Sequence, residues 1–142
     1  MSDLKDLLAD PERREKVIDD CCKLVDDEVA RKSGLGGMII KTGYKAVRGV
    51  KPGFIRKVVS KLLPEWTEKL GPIWRENEDA PADHLEANAD RVAEALLSVT
   101  DDKARAASGV VAKTYKKLRP SAKGHVVAAV PGLAGLLARH SE

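Results

Sequence analysis

Apolar residues recur at three- and four-residue spacing along almost the whole chain, which is the period of an α-helix. The clearest stripe follows Asp10 and Pro11, where Val17, Cys21 and Val25 repeat every four residues. No segment combines strict alternation with β-branched residues and turn signals, as a β-strand would. The pattern therefore predicts an all-α fold: a single compact bundle of six to eight helices.

Prolines, glycines and capping residues divide this pattern into separate helices. Gly71-Pro72 is expected to split or kink one of them, because proline lacks the N–H that a helix interior needs. Thr100-Asp101-Asp102 is expected to cap another. The expected helices cover 3–9, about 10–32, about 36–50, a segment after Lys51-Pro52-Gly53, a segment after Pro64, about 81–99, about 102–118 and a segment after Pro120-Ser121.

The two halves of the chain resemble each other. A shift by 71 residues, half the length, aligns the stretch from Tyr44 to Arg48 with the stretch from Tyr115 to Arg119. The same shift also aligns many apolar positions. An internal repeat of this kind indicates a fold built from repeated units. We therefore predict one domain made of two pseudo-symmetric three-helix halves, about 1–76 and 77–142, which meet at the polar stretch around 77–81.

Charge is arranged in blocks that follow this duplication. The segments 1–33, 34–63, 64–102 and 103–142 carry net charges of −3, +7, −8 and +7, within an overall charge of +3. The basic blocks form two helical stripes, and these are the candidate anion-binding residues: Lys41, Lys45 and Arg48, with Lys113, Lys116 and Lys117. Either acidic helices neutralise these cations within the fold, or the stripes attract a polyanion such as nucleic acid or an acidic membrane surface.

Composition narrows the class of protein. Hydrophobic residues make up 43% and charged residues 33%, which indicates a folded domain. No secretory signal is visible at the start, and no apolar run approaches the roughly 18–20 residues of a membrane span. The adjacent Cys21 and Cys22 are expected to be reduced and at least partly buried, although a reactive or metal-binding pair is the alternative. We predict a cytoplasmic protein with no membrane span.

Motifs for catalysis are lacking. The three histidines lie far apart in sequence, and the glycines at 34, 36 and 37 do not have the spacing of a phosphate-binding loop. We predict no enzyme activity, no cofactor and no metal. The leading hypothesis is a non-enzymatic binding or scaffolding module that self-associates or binds a protein partner. The alternatives are an anion-binding protein and an apolar-ligand carrier with a cavity between the halves, lined by residues such as Trp66, Trp74 and Leu137. Trp66 and Trp74 are also the candidate residues for anchoring a partner.

Several short stretches resemble a known family. They are Asp3 to Pro11, Lys51-Pro52-Gly53-Phe54-Ile55, Leu62-Leu63-Pro64-Glu65-Trp66 and Asn88 to Ala93. In these stretches the chain resembles an uncharacterised family of small bacterial all-helical proteins, a domain of unknown function, and the resemblance covers essentially the whole chain. It implies a bacterial and cytoplasmic protein, and it supplies no activity and no site residue.

Overall fold

The computed structural model describes residues 4–49 and 53–141, with Leu35 described by its backbone alone. All regular structure in these ranges is helical, which confirms the all-α prediction and the expected number of helices. The elements in chain order are a 3-10 helix at Leu4–Leu8, α1 at Pro11–Arg31, α2 at Gly34–Arg48, α3 at Phe54–Arg75, α4 at Pro81–Ala87, α5 at Ala89–Ala104 and α6 at Gly109–Ser141. The predicted break at Lys51-Pro52 lies outside the described residues.

Helix α1 begins as its sequence predicts. The Asp10 side chain accepts a hydrogen bond from the Glu12 backbone N–H at 3.2 Å, and Pro11 occupies the first turn, where no N–H is needed. Helix α3 follows Gly53, whose φ of +74° is a left-handed conformation that favours glycine. Local chemistry therefore sets where these two helices begin.

The predicted helix starts at Pro64 and at Pro120-Ser121 were wrong, because α3 and α6 run without a break through their internal prolines. A proline inside a helix leaves the carbonyl four residues earlier without its usual donor. For Pro64 this carbonyl belongs to Ser60, and it accepts a hydrogen bond from Arg14 Nη2 of α1 at 3.1 Å. A long-range partner thus replaces the bond that Pro64 removes, and Gly71-Pro72 does not split the helix either.

The predicted cap at Thr100-Asp101-Asp102 was also wrong, since these residues lie within α5. Their side chains serve the packing of α5 on α6 instead: Thr100 Oγ1 lies 3.0 Å from the Tyr115 hydroxyl, and Asp101 accepts hydrogen bonds from Arg119. The helix expected over 81–99 is broken at Asn88, whose side chain donates to the His84 carbonyl at 2.9 Å.

One hydrophobic core joins both halves of the chain. It draws on the 3-10 helix and on every α-helix except α2; its largest fully buried side chains are Trp74, Leu4, Leu7, Ile18, Leu85, Leu136, Val17, Val92 and Val130. Helix α2 contributes no described side chain to this core and packs on its outside, against α1, α3 and α6. This peripheral position leaves one side of α2 facing solvent.

A shift of 71 residues places α1 on α4 and α5, α2 on the first part of α6, and α3 on its second part. The first half thus keeps two separate helices where the second half has one continuous helix. The division into two pseudo-symmetric halves is compatible with this order of elements and stays a prediction.

Candidate functional site

Helix α2 lies antiparallel to the first part of α6. Lys32, which precedes α2, lies close enough to His125 to lower its pKa, together with the larger effect of burial. Eleven residues further on, Gly43 packs against α6 so closely that a Cβ there would lie 3.1 Å from methyl groups of both Thr114 and Leu118. These two contacts show that α2 and the first part of α6 run side by side in opposite directions.

The six candidate anion-binding residues are all exposed, on the sides of α2 and α6 that face away from the core. Within the described part of the chain none of them pairs with a carboxylate, and Arg48 contacts only the ring of Tyr44, at 5.6 Å from its centroid. We call this surface the outer basic face. It consists of Lys41, Lys45, Arg48, Lys113, Lys116 and Lys117.

Other cations of the same basic blocks do form ion pairs between helices. Arg56 of α3 binds Asp19 and Glu15 of α1, while Lys123 of α6 lies 2.9 Å from Glu94 of α5. We call these contacts, with Arg119–Asp101, Lys103–Glu65 and Arg91–Glu76, the inter-helix ion pairs. Carboxylates therefore neutralise cations where helices pack against each other. They do not neutralise the cations of the outer basic face.

Large hydrophobic side chains are also exposed on α2 and α6. Met38 is 65% exposed, Ile39 44% and Val110 51%, and among the described side chains no other large hydrophobic one is exposed. Met38 precedes Lys41 by three residues and Lys45 by seven, and Val110 stands in the same relation to Lys113 and Lys117. Residues at this spacing share one side of a helix. Each helix thus presents an apolar residue in line with two lysines.

Sequence reasoning named the six cations and missed Met38, Ile39 and Val110. The signal that was available is the repeated spacing of one apolar residue and two lysines in two corresponding segments. Apolar residues in an amphipathic helix are read as core by default. Only the packing of α2 and α6 in the structure shows that these three face solvent.

The two tyrosines hold helices together. The Tyr44 hydroxyl donates to Asp26 of α1, and the Tyr115 hydroxyl donates to Asp101 of α5. Both rings are half-buried, and burial, with the neighbouring carboxylate, raises the pKa of each phenol. Their rings are therefore engaged in the fold rather than free to stack on nucleic-acid bases.

A second candidate site is a cavity of about 220 Å³ between α1, α3, α5 and α6. Its wall presents only apolar surface and includes Trp66 and Leu137, both named from the sequence for an apolar-ligand site. Trp74 does not line it; this residue is 2% exposed and belongs to the core.

The two cysteines are free thiols, as expected from their adjacent positions. Cys21 lines the cavity, and its burial raises the pKa of its thiol from 9.0 to about 12. Burial also raises the pKa of the half-buried Cys22. A thiol with so high a pKa stays protonated at neutral pH and is a poor nucleophile and metal ligand. In residues 4–49 and 53–141 no group of three metal-ligating side chains comes together.

Helix α6 satisfies the length and composition of a membrane span, over an 18-residue stretch of mean hydropathy 1.2 that is 22% buried. A single such helix is weak evidence, because core helices satisfy the same criteria. The prediction of no membrane span is not contradicted.

Fold and surfaces together define an all-α bundle with an outer basic face and an apolar cavity between four helices. The chain belongs to a family of unknown function (DUF6918), which it matches over residues 4–141. This confirms the resemblance to an uncharacterised family; a bacterial origin stays a prediction. No curated protein and no solved structure matches the chain.

Proposed function

We propose that this protein is a non-enzymatic binding module that docks on an anionic membrane surface through its outer basic face. One observation carries the proposal: the exposed and unpaired cations share two neighbouring helices with the exposed Met38, Ile39 and Val110. The module is proposed to act in the cytoplasm, where membrane leaflets carry anionic lipid.

The charges are sufficient for such docking. Each Lys or Arg near an anionic bilayer surface contributes about 1 kcal/mol, so six of them supply several kcal/mol. The attraction weakens with salt, since exposed charges are screened over about 8–10 Å at physiological ionic strength.

The exposed apolar side chains favour a membrane over nucleic acid. Side chains such as Met38 and Val110 gain free energy when they enter the boundary between headgroups and acyl chains. They have no comparable partner on a phosphate backbone, and nucleic-acid surfaces are instead recognised by cations, polar groups and stacking aromatics. Tyr44 and Tyr115 are engaged within the fold, so stacking would need other residues.

The test is co-sedimentation with vesicles of phosphatidylcholine alone or with phosphatidylglycerol added. We expect binding only to the anionic vesicles, and a loss of about 100- to 1000-fold when four lysines of the face are neutralised. The variant carries K41Q, K45Q, K113Q and K117Q. Its matched control removes four unpaired lysines from other surfaces and carries K5Q, K57Q, K61Q and K69Q. Equal loss in both variants would show that only net charge matters, and would contradict a specific face.

A second pair of measurements separates the membrane from nucleic acid. Met38→Ser combined with Val110→Ser should weaken vesicle binding several-fold and leave retention on heparin or DNA unchanged. If the wild-type protein binds duplex DNA at physiological salt and shows no preference for anionic vesicles, the membrane proposal is wrong and the nucleic-acid alternative takes its place. Self-association and a protein partner stay predictions.

A further inference from the structure

We propose that the cavity between α1, α3, α5 and α6 is a binding site for a neutral apolar ligand slightly larger than a benzene ring. This site is separate from the outer basic face, since none of the six cations lines it. Nothing in the family assignment gives the chain a ligand of this kind.

The wall offers no free hydrogen-bonding group. Trp66 Nε1 donates to the Leu96 carbonyl at 3.3 Å, and Thr67 Oγ1 donates to the Pro64 carbonyl at 2.9 Å. Thr100 Oγ1 donates to the Leu97 carbonyl at 3.1 Å, and the Cys21 thiol stays protonated. Every polar group on the wall is therefore used within the fold or neutral, and a ligand meets only aliphatic, aromatic and sulfur surface.

Such a wall selects the ligand by polarity. A water molecule needs two to four polar partners to be held in a cavity, and this wall offers none, so an apolar ligand displaces only weakly held water. Aliphatic cavities of about 150 Å³ take up benzene or xenon, and the volume of about 220 Å³ here admits a substituted ring. A charged or hydroxylated ligand would lose its hydration without a replacement partner.

The position of the cavity also fits a ligand site. It lies between helices of a bundle, a frequent place for apolar sites. Leu24, Leu96 and Val126 on its wall are half-buried, so the cavity lies near the edge of the core. Ala129 contributes the smallest side chain to the wall, while its neighbour Ala128 is exposed and does not line the cavity.

The experiment compares two ring compounds of similar size, toluene and phenol, in thermal unfolding of the full chain. We expect saturating toluene to raise Tm by about 2–5 °C, because a ligand that binds only the folded state stabilises it. Phenol at the same concentration should give no rise, since the wall cannot accept or donate to its hydroxyl. An equal response to both compounds, or none to toluene, would overturn the proposal.

A matched pair of variants locates the effect. Ala129→Leu should fill the cavity and abolish the toluene shift, while Ala128→Leu should retain it. If Ala129→Leu does not fold, the fluorescence emission of Trp66, which lines the cavity, tests binding instead. It is measured in a Trp74→Phe protein, in which Trp66 is the one remaining tryptophan. Toluene must then change that emission and phenol must not. A toluene shift that survives in a folded Ala129→Leu protein would place the ligand elsewhere and refute the site.

Discussion

The outer and inner sides of α6 carry cations of the same sequence block in opposite situations. Lys116 is exposed without a carboxylate partner, whereas Arg119, three residues later, donates to both oxygens of Asp101 at 2.7 and 3.0 Å. Helix α2 shows the same contrast: Lys41 and Lys45 face solvent, while Tyr44 is bound to α1. The charge block to which a cation belongs therefore does not determine whether the cation is paired. Its angular position around the helix does.

This contrast separates stability from binding. Residues on the inner sides hold helices together, so their loss should lower the free energy of unfolding and leave the binding chemistry of the surface intact. Residues on the outer basic face form no ion pair within the described part of the chain, and only Arg48 contacts a neighbouring ring, so their loss should do the reverse. Each prediction below tests whether this division holds.

The largest effect is expected where α2 meets α6. Gly43→Leu would place a side chain against Thr114 and Leu118, in a space that already leaves only 3.1 Å for a Cβ. Overpacking of this kind costs about 1–3 kcal/mol. Urea unfolding should therefore show a lower midpoint with a similar slope.

The matched control lies on the same helix. Gly36 has nothing within 4 Å of its Cβ position, so Gly36→Ala should stabilise the protein by about 0.5–1 kcal/mol through helix propensity alone. If the Gly43→Leu protein is as stable as the Gly36→Ala protein, then α2 does not pack on α6. The cations of α2 and α6 would then not belong to one outer basic face.

Asp101→Ala is expected to have a smaller effect. The carboxylate accepts hydrogen bonds from Arg119 and Tyr115, and its side chain is 34% exposed. Charged hydrogen bonds contribute about 1.5–3 kcal/mol when buried, and solvent reduces this to about 1–2 kcal/mol here. Lys116→Ala should stay within about 0.5 kcal/mol of the wild type. Equal destabilisation in both variants would remove the distinction between the inner and outer sides.

The sequence predicted those features that depend on neighbouring residues. The cap at Asp10, the proline after it and the helical period all act within one turn, so the start of α1 followed from the sequence. The continuation of α3 through Pro64 depends on Arg14, 46 residues before the carbonyl it binds, and no local rule reports such a partner. The same reason explains why Thr100 and Asp101, bound to the distant Tyr115 and Arg119, were misread as a cap.

The candidate sites divide in the same way. The six cations were visible as helical stripes, because period and charge are properties of the sequence. Their lack of partners, and the exposure of Met38, Ile39 and Val110, depend on which sides of α2 and α6 are packed. Trp66 and Leu137, named from the sequence for an apolar site, do line the cavity, but its full outline could not be predicted, since a pocket reflects how four helices fail to fill the space between them.

The smallest effect is expected at Glu76, which forms one of the inter-helix ion pairs near the junction of the two halves. Its carboxylate accepts hydrogen bonds from Arg91 at 2.7 and 2.8 Å and lies 2.8 Å from His84 Nε2. Arg91, and then His84, lower the pKa of this carboxyl from 4.5 to about 2. Because the pKa is lower in the folded state, the stabilisation is present above about pH 4.5 and is lost as the pH falls towards 2.

Glu76→Gln should therefore lower Tm at pH 6 and have a much smaller effect near pH 2, where about half of the wild-type carboxyl groups are protonated in the folded state. Glu78→Gln is the control, since Glu78 is exposed and pairs with no cation among the described residues. It should leave Tm unchanged at both values of pH. A Tm difference between Glu76→Gln and wild type that is the same at pH 6 and pH 2 would mean that the carboxyl stabilises the junction by packing rather than by charge. The inter-helix ion pairs would then differ from the outer cations in position alone.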